Sequence, residues 1–206
     1  MKSFPNQIPI FPLSGVIYFP KTNLPLNIFE QRYLDLVNDS IRKDKLMGMI
    51  QSKRKNEEVY KVGCLGKISD FQKSKDGRIF INLTGITRFQ ILKEVKNSKL
   101  YREFKVDYEK FSLDLDPTLE EINIEYLMKK AEIFFQNSGL LLNWKEFNKL
   151  EQAQQINTLS MISPFSDEEK QKLLETIRIK EKTKILSEII EFYLHDKGYK
   201  SKITIQ

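Results

Sequence analysis

The first half of the chain alternates apolar and polar residues over short runs that end at proline or glycine. Side chains two residues apart lie on one face of a strand, so this period predicts β-structure. Asp76-Gly77 predicts a tight hairpin turn, because glycine tolerates the positive φ angle that such a turn requires. The predicted strands are 8–13, 16–19, 24–28, 46–51 and 62–71, with a bend near Gly63 and Gly66, and the alternating runs at 79–84, 89–95 and 104–108.

One helix is predicted inside this strand-rich half. From Phe29 the apolar residues recur at intervals of three and four, the period of one helix face. Glu30 is expected to meet backbone donors at the helix start. Glu30 and Arg32 are expected not to face each other, because residues two apart diverge on a helix, so Arg32 needs another partner. The predicted apolar face consists of Phe29, Tyr33, Leu36, Val37 and Ile41.

After about residue 112 the apolar period becomes helical. Asp116-Pro117 is typical of a helix start, and Gly139 marks the end of that helix. Shorter helices are predicted at 144–150 and 153–161. The capping-box spacing of Ser166 and Glu169 predicts a further helix that ends near Thr176. The first of these helices has the predicted face Leu119, Ile122, Tyr126, Ile133 and Phe134; a last helix, ended by Gly198, places Lys182, Leu186, Ile189 and Tyr193 in line, with Ile185 and Ile190 beside them.

These periods predict an α+β fold. Many short strands without regular helices between them favour a closed or nearly closed barrel over a parallel sheet. The barrel is expected to cover residues 1–112 and to contain the inserted helix. A C-terminal α-helical bundle is expected over 113–196, followed by a basic tail at 197–206.

The residue inventory argues against an enzyme. One cysteine, Cys64, and one histidine, His195, cannot supply a zinc site of the usual type. Cys64 lies in an apolar stretch and is expected in the core, whereas His195 is expected in the last helical turn, near free carbonyl groups. The spacing between Gly63 and Lys67 does not match a phosphate-binding loop. No cofactor, metal or catalytic set is therefore predicted.

Charge and hydropathy limit the partners. The 206 residues carry a net charge of +6, with 34 basic and 28 acidic residues interleaved, which favours a solvated surface over a nucleic-acid site. RNA binding stays open as an alternative through Lys53-Arg54-Lys55 and through Lys73, Lys75 and Arg78 beside the hairpin. Prolines interrupt any signal peptide, and no apolar run approaches the ~20 residues that cross a bilayer, so a cytoplasmic protein without membrane contact is expected.

Several segments, in their order, resemble one known family. They are Ile8-Pro9-Ile10-Phe11-Pro12-Leu13, Val16-Ile17-Tyr18-Phe19-Pro20, Leu24-Pro25-Leu26-Asn27-Ile28-Phe29-Glu30-Gln31-Arg32-Tyr33, Val62-Gly63-Cys64-Leu65-Gly66, Asp76-Gly77-Arg78-Ile79, Gly85-Ile86-Thr87-Arg88-Phe89 and Ser163-Pro164-Phe165-Ser166. The chain resembles the substrate-binding N-terminal domain of Lon proteases over residues 8–194. Lys21 departs from the family pattern, which often has glycine there. The resemblance implies a PUA-like β-barrel followed by helices.

The resemblance also implies a stand-alone, non-catalytic module that binds unfolded or exposed apolar polypeptide segments. The alternatives are a PUA-like RNA-binding protein and an adaptor that acts with a protease in trans. The residues nominated for substrate binding are Phe19, Leu24 and Leu26. A structural role is expected for the signature residues Pro12, Pro20, Phe29, Glu30, Arg32, Tyr33, Gly63, Gly77, Arg88 and Phe89.

Overall fold

The computed structural model describes residues 4–53, 58–115 and 122–203, with side chains described as far as residue 196. Contacts divide the chain into two compact units, Met1–Pro117 and Thr118–Gln206. The predicted helix start at Asp116-Pro117, its face residue Leu119, and Arg54-Lys55 lie outside the described residues. The predicted divisions after residues 112 and 196 stay predictions.

The first unit is a barrel with one helix inserted between strands. Its elements are β1 (Gln7–Leu13), β2 (Asn23–Ile28), α1 (Gln31–Arg42), β3 (Leu46–Gln51), β4 (Val62–Lys73), β5 (Ile79–Val95) and β6 (Arg102–Asp107). The strand order is β2-β5-β4-β3-β1-β6, and β6 also pairs with β5, which closes the barrel. β1 and β3 are parallel, and β2 with α1 supplies the crossover that parallel pairing needs. The predicted fold class is confirmed.

Strand β5 is long because it pairs with three neighbours. Residues 79–84 pair with β2 and residues 90–95 pair with β6, while β4 pairs with residues 79–90. Gly85 lies where one edge of β5 changes partner, and a side chain there would clash with the carbonyl oxygen of Phe19. The pairing of β4 with β5 shifts register between Leu65 and Gly66, with the extra residue in β5, so the irregularity predicted near Gly66 as a bend or bulge is present.

Segment 16–19, predicted as a strand, is not part of the sheet. The side chains of Tyr18 and Phe19 are buried, but the backbone turns away after them. Lys21 has a φ angle of 61°, and its N–H donates to the carbonyl of Gly85 at 3.0 Å. Lys21 therefore takes the left-handed conformation that glycine adopts most easily, at the position where the resembling family often has glycine.

The barrel interior is apolar and aromatic. Ile79, Ile81 and Leu83 are buried while Phe80 lies on the opposite face, which confirms the predicted alternation. Cys64 is a buried thiol, as predicted. One core cluster of buried residues consists of Ile8, Ile10, Ile50, Leu65, Phe89, Phe104 and Val106.

Helix α1 begins later than predicted, at Gln31. Glu30 precedes it with a φ angle of −73° and a ψ angle of 134°, and its side chain caps no backbone N–H. From this extended position the Glu30 carboxylate lies 2.9 Å from Arg32 Nη2, so the expectation that the two diverge is wrong. Phe29 also lies outside the helix and is 63% exposed. The buried face of α1 consists of Tyr33, Leu36, Val37 and Ser40.

A buried ion pair joins β5 to the 3₁₀ segment Glu109–Asp114. The side chain of Arg88 is 2% exposed, and its Nη2 and Nε lie 2.7 and 3.0 Å from the two carboxylate oxygens of Asp114. The backbone N–H of Arg88 donates to the same carboxylate at 2.9 Å. The guanidinium also lies over the ring of Phe111, 4.6 Å from its centroid. These contacts hold the 3₁₀ segment against the barrel.

The second unit is helical. Its elements within the described residues are α2 (Glu125–Asn137), α3 (Trp144–Phe147), α4 (Gln152–Ile162), α5 (Asp167–Glu175) and α6 (Ile179–Ile203). The predicted capping box is confirmed, because the N–H of Glu169 donates to Ser166 Oγ at 3.2 Å and the N–H of Ser166 donates to the Glu169 carboxylate at 2.8 Å. The predicted end of α2 is confirmed at Gly139, whose φ angle is 67°.

The predicted face of α2 is correct at Phe134, which is buried, but wrong at two other residues. Tyr126 and Ile133 are 63% and 50% exposed. The predicted face includes residues 119 and 122. Both precede the start of α2 at Glu125, so they do not determine which side of the helix is buried. The buried residues are Leu127, Ala131, Phe134 and Phe135.

Helix α6 does not end at Gly198 but continues to Ile203. One glycine in a helix costs about 1 kcal/mol relative to alanine, which is too little to end it. His195 is therefore not in the last turn, contrary to expectation. Lys182, on the predicted face, is buried and donates to Asn157 Oδ1 at 2.8 Å.

The variant Arg88→Met tests the buried ion pair. It leaves the Asp114 carboxylate buried without its cation, so we expect the free energy of unfolding to fall by about 3–5 kcal/mol. Urea unfolding followed by far-UV circular dichroism measures the change. The control Arg78→Met breaks the exposed pair with Asp76 and should cost less than about 1 kcal/mol. Equal losses in the two variants would show that the buried ion pair stabilises the fold no more than the exposed pair does.

Candidate functional site

Strand β2 is the edge of the sheet in the first unit. Within the described residues it pairs only with β5, in register from Asn23 opposite Thr84 to Ile28 opposite Ile79. The other edge of β2 is therefore open. An open strand edge presents peptide groups that can pair with another extended chain.

The direction of these peptide groups follows from the hydrogen bonds at the start of β2. The N–H of Gly85 donates to the carbonyl of Thr22 at 2.9 Å, so Thr22 faces β5. Antiparallel pairing alternates, which directs Asn23, Pro25 and Asn27 away from β5. Pro25 fits this position because it has no N–H to donate. The open edge thus presents three carbonyl groups and the N–H groups of Asn23 and Asn27.

Exposed apolar side chains accompany this edge. Phe80 lies opposite Asn27 on β5 and is 47% exposed, and Phe29, which directly follows β2, is 63% exposed. Pro25 is exposed, while Leu24 and Leu26 are half-buried on the other face of the strand. We call the set of Leu24, Pro25, Leu26, Phe29 and Phe80 the β2 surface.

A polar network lies on the same face of the sheet as Phe80. Thr84 Oγ1 donates to Asn23 Oδ1 at 2.8 Å, and Ser69 Oγ donates to the carbonyl of Asn82 at 3.0 Å. Asn82 Nδ2 donates in turn to Ser69 Oγ at 3.3 Å. These neutral groups give the face hydrogen-bonding capacity without charge.

Two arginines beside the β2 surface are paired with carboxylates. Arg32 lies 2.9 Å from Glu30, and Arg78 lies 3.1 Å from Asp76. The backbone N–H of Arg78 donates to the Asp76 carboxylate and lowers the pKa of that carboxyl, so Asp76 stays ionised. The site therefore has little net charge with which to attract a charged ligand.

The structure separates the three nominated residues. Phe19 is fully buried in the core, so its nomination as an accessible binding residue is corrected. Leu24 and Leu26 lie at the sheet edge, where a partner can reach them. The sequence analysis missed Phe29 and Phe80. Phe80 carried a signal, because it is an aromatic residue on the polar side of an alternating strand.

The other signature residues divide between core and surface. Tyr33 is buried, with its ring 4.2 Å from that of Phe11. Gly63 has no room for a side chain beside Met49 and Phe89, and Gly77 forms the hairpin turn with a φ angle of 89°. Phe29, Glu30 and Arg32 are exposed. Pro12 is half-buried, and Pro20, Arg88 and Phe89 are buried.

A second apolar surface lies in the helical unit. The loop after α2 carries Leu140, Leu141 and Leu142, of which Leu141 is fully exposed. The loop, together with Trp144, Gly139 and the polar residues Glu132 and Gln136, lines a hollow of about 470 Å³. We call it the Leu141 hollow. Three consecutive leucines in an exposed loop are unusual unless they contact a partner.

The described part of the chain contains neither a metal-binding cluster nor a membrane-spanning helix. No group of three histidine, cysteine, aspartate or glutamate residues lies close enough together there to hold a metal ion. None of the helices in residues 4–53, 58–115 and 122–203 is long and apolar enough to span a membrane.

The sequence and the fold are similar to those of one family. The family model described as the ATP-dependent protease La (LON) substrate-binding domain matches residues 7–191. The Lon protease of Syntrophus aciditrophicus is 25% identical over 98% of this chain and 27% of that protein, and the Lon protease of Dictyoglomus thermophilum is 26% identical over 88% and 24%. The chain thus spans about a quarter of the length of these curated relatives.

Two solved structures have the same fold. The Lon N-terminal domain protein from Xanthomonas campestris superposes with a TM-score of 0.66 at 22% identity, covering 87% of this chain and 96% of that one. The N-terminal domain of the Mycobacterium avium complex Lon protease superposes with a TM-score of 0.64 at 16% identity, covering 90% and 98%.

Matched phenylalanine substitutions separate the core from the β2 surface. We expect Phe19→Ser to lower the free energy of unfolding by about 3–5 kcal/mol, because it empties a packed core position. Phe80→Ser should change it by less than about 1 kcal/mol, since the ring is already half in water. Urea unfolding measures both. A loss for Phe80→Ser as large as that for Phe19→Ser would show that Phe80 is needed for folding and would remove it from the site.

Proposed function

The chain belongs to the family of ATP-dependent protease La (LON) substrate-binding domains, and from this premise we propose that it binds exposed apolar segments of unfolded polypeptides and catalyses no reaction itself. The family description supports protein as the ligand. That the chain catalyses no reaction is also a proposal. It is supported by the family model, which describes a substrate-binding domain, and by the chain's span of about a quarter of the relatives' length.

The observation that carries the proposal is the open edge of β2 beside exposed aromatic rings. An unfolded chain offers extended backbone and scattered apolar side chains. In the proposed complex its backbone pairs with the peptide groups of Asn23 and Asn27, while its apolar side chains cover Phe29 and Phe80. Main-chain pairing does not depend on the sequence of the ligand, so such a site accepts many different unfolded polypeptides. We call these polypeptides clients.

Pro25 limits the strength of this pairing. It removes one donor from the middle of the edge, so a bound strand forms fewer ladder hydrogen bonds there. A proline on an edge strand also discourages pairing between copies of the same chain. The result is a weak, reversible site, which suits a module that must release its clients.

The fate of a bound client is a second part of the proposal. We propose that this module presents clients to a protease in trans, as an adaptor in a reducing, cytoplasmic compartment. The single cysteine of the chain, Cys64, is a buried thiol that forms no disulfide, which fits such a compartment. Faster degradation of an unfolded client by a Lon-type protease when this protein is added would support the adaptor role, and an unchanged rate would remove it.

RNA binding is the outcome that would replace the client-binding proposal. Phosphate contacts release counterions, so RNA affinity would fall steeply with salt. Two of the three cations beside the hairpin are already engaged, Arg78 with Asp76 and Lys73 with Asn38 Oδ1 at 3.0 Å. The basic loop residues Arg54 and Lys55 lie outside the described residues.

A fluorescence-anisotropy titration tests the β2 surface. The probe is a labelled, reduced and carboxymethylated polypeptide, measured at low and at high salt. We expect saturable binding that changes little with salt, because the proposed contacts are main-chain hydrogen bonds and apolar contacts. The double variant Phe29→Ser/Phe80→Ser should weaken binding by at least about tenfold, or about 1.4 kcal/mol, since half-exposed rings lose their burial against the client.

The control variant is Phe192→Ser on α6, which replaces an equally exposed ring, 65% exposed, in the other unit. It should leave the affinity unchanged. A third variant, Leu141→Ser, tests the Leu141 hollow. If Leu141→Ser abolishes binding and the double variant does not, the assignment to the β2 surface is wrong. If only a labelled RNA binds, and binding vanishes at high salt, the client-binding proposal itself is wrong.

A further inference from the structure

Strand β2 presents two chemically different faces at its open edge. Side chains alternate between the two faces of a strand. One face of β2 carries three exposed residues, Asn23, Pro25 and Asn27, and the other carries Leu24 and Leu26, which are half-buried. Neither set contains a charged residue. A strand that pairs with this edge therefore meets a polar surface on one face and an apolar surface on the other.

The face of Leu24 and Leu26 continues the apolar core of the barrel. Leu24 lies opposite Leu83 of β5 and Leu26 lies opposite Ile81, and both β5 residues are buried. The apolar layer ends at β2, because no further strand within the described residues covers its two leucines. Opposed side chains on paired strands have Cβ atoms about 4.5–5.5 Å apart. Apolar side chains of an added strand would therefore remove the exposed parts of Leu24 and Leu26 from water.

The face of Asn23 and Asn27 is polar and uncharged. Asn23 accepts from Thr84 Oγ1 at 2.8 Å, which joins it to the polar network on β4 and β5. Asn27 lies opposite Phe80, so one aromatic ring borders that end of the face. Neutral polar side chains of a client can exchange hydrogen bonds with the two amides. A bulky apolar side chain would cover the amides without replacing their hydrogen bonds to water.

The difference between the two faces determines the register of a bound strand. A shift of one residue moves every side chain of a strand to the opposite face. An extended client satisfies both faces at once only where apolar residues alternate with polar ones. A client whose apolar residues are adjacent, or three and four apart as on a helix face, places them on the polar face as often as beside Leu24 and Leu26.

The other open edge of the sheet, residues 69–73 of β4, has a different character. It carries the charged residues Asp70 and Lys73, and Lys45 Nζ lies 5.9 Å from the ring centroid of the exposed Phe71. Charged side chains on an edge strand discourage pairing with another chain. The uncharged edge of β2 is therefore the edge that favours pairing with a client.

We propose that the β2 surface selects client segments in which apolar residues alternate with neutral polar residues. The apolar residues of the segment lie beside Leu24 and Leu26, and its polar residues lie beside Asn23 and Asn27. This pattern is that of a half-buried β-strand, so the preferred clients are unfolded chains whose sheet strands have become exposed. The inference rests on the proposed binding of extended polypeptides at β2, and it adds the pattern that distinguishes preferred clients from others.

Two isomeric peptides test the selection. Their sequences are TLTLTLTLT, in which leucines alternate, and TLLTTLLTT, in which no two leucines are two residues apart. Each carries fluorescein on a flexible polar linker and is kept at nanomolar concentration, so that it does not associate with itself, while the full chain is added and the anisotropy is measured. We expect TLTLTLTLT to bind at least about tenfold more tightly, because it covers both leucines of β2 without placing leucine on the polar face.

Variants of β2 locate the selection. Leu24→Thr/Leu26→Thr makes both faces polar, so the affinity ratio of the two peptides should fall to within about twofold. Far-UV circular dichroism checks its folding, and the two single variants replace it if it does not fold. Leu92→Thr makes the same exchange at a 63% exposed leucine, in the part of β5 that pairs with β6, and should leave the ratio unchanged.

A fourth variant separates main-chain pairing from side-chain selection. Pro25→Ala restores a backbone donor to the open edge of β2. It should strengthen the binding of both peptides by about threefold and leave their ratio unchanged, because a ladder hydrogen bond does not depend on the client's side chains.

The inference is overturned if TLTLTLTLT does not bind, if the two peptides bind equally, or if Leu24→Thr/Leu26→Thr leaves their ratio unchanged. In each of these cases, continued binding of the carboxymethylated polypeptide, weakened by Phe29→Ser/Phe80→Ser, leaves the proposed function standing. If the carboxymethylated polypeptide itself does not bind, the proposed function fails and the inference fails with it.

Discussion

The architecture of the first unit depends on one strand serving three partners. Strand β5 pairs with β4 over residues 79–90, while its other edge passes from β2 to β6. That change is possible only where the backbone of β5 can approach the turn at Phe19, and Gly85 provides the room because a side chain would clash there. The left-handed conformation of Lys21 completes the turn and lets its N–H bond to Gly85. The change of partner thus takes place where two distant backbone segments are in close contact.

The same strand positions the buried charge of the unit. Arg88 lies just beyond the change of partner and is covered by the 3₁₀ segment that carries Phe111 and Asp114. A buried guanidinium is expensive to desolvate, and the bidentate contact with Asp114 and the contact with Phe111 offset that cost. The pair therefore adds specificity: it allows one placement of the 3₁₀ segment on the barrel, because any other leaves a charge buried alone.

Local patterns predicted those elements whose stabilising contacts are themselves local. The alternation over 79–84 and the capping box at Ser166 were confirmed, because strand period and helix capping are set by residues near in sequence. Predictions failed where a distant residue decides. Segment 16–19 alternates like a strand but lies beside Gly85 instead of in the sheet. Within the site, the sequence predicted Leu24 and Leu26 on the edge strand. The exposure of Phe29 and the burial of Phe19 could not be predicted, because they depend on packing against residues distant in sequence.

Closure of the barrel also leaves β2 with an open edge that is available for main-chain recognition. Because β6 pairs with both β1 and β5, the barrel strands have neighbours on both sides, and the open edges within the described residues are β2 and the end of β4, residues 69–73. An open edge is a liability for any soluble protein unless its sequence limits pairing. Pro25 does so by removing one donor, yet two donors and three carbonyls remain. An edge reduced in this way, flanked by Phe29 and Phe80, favours brief capture of an extended chain over permanent association.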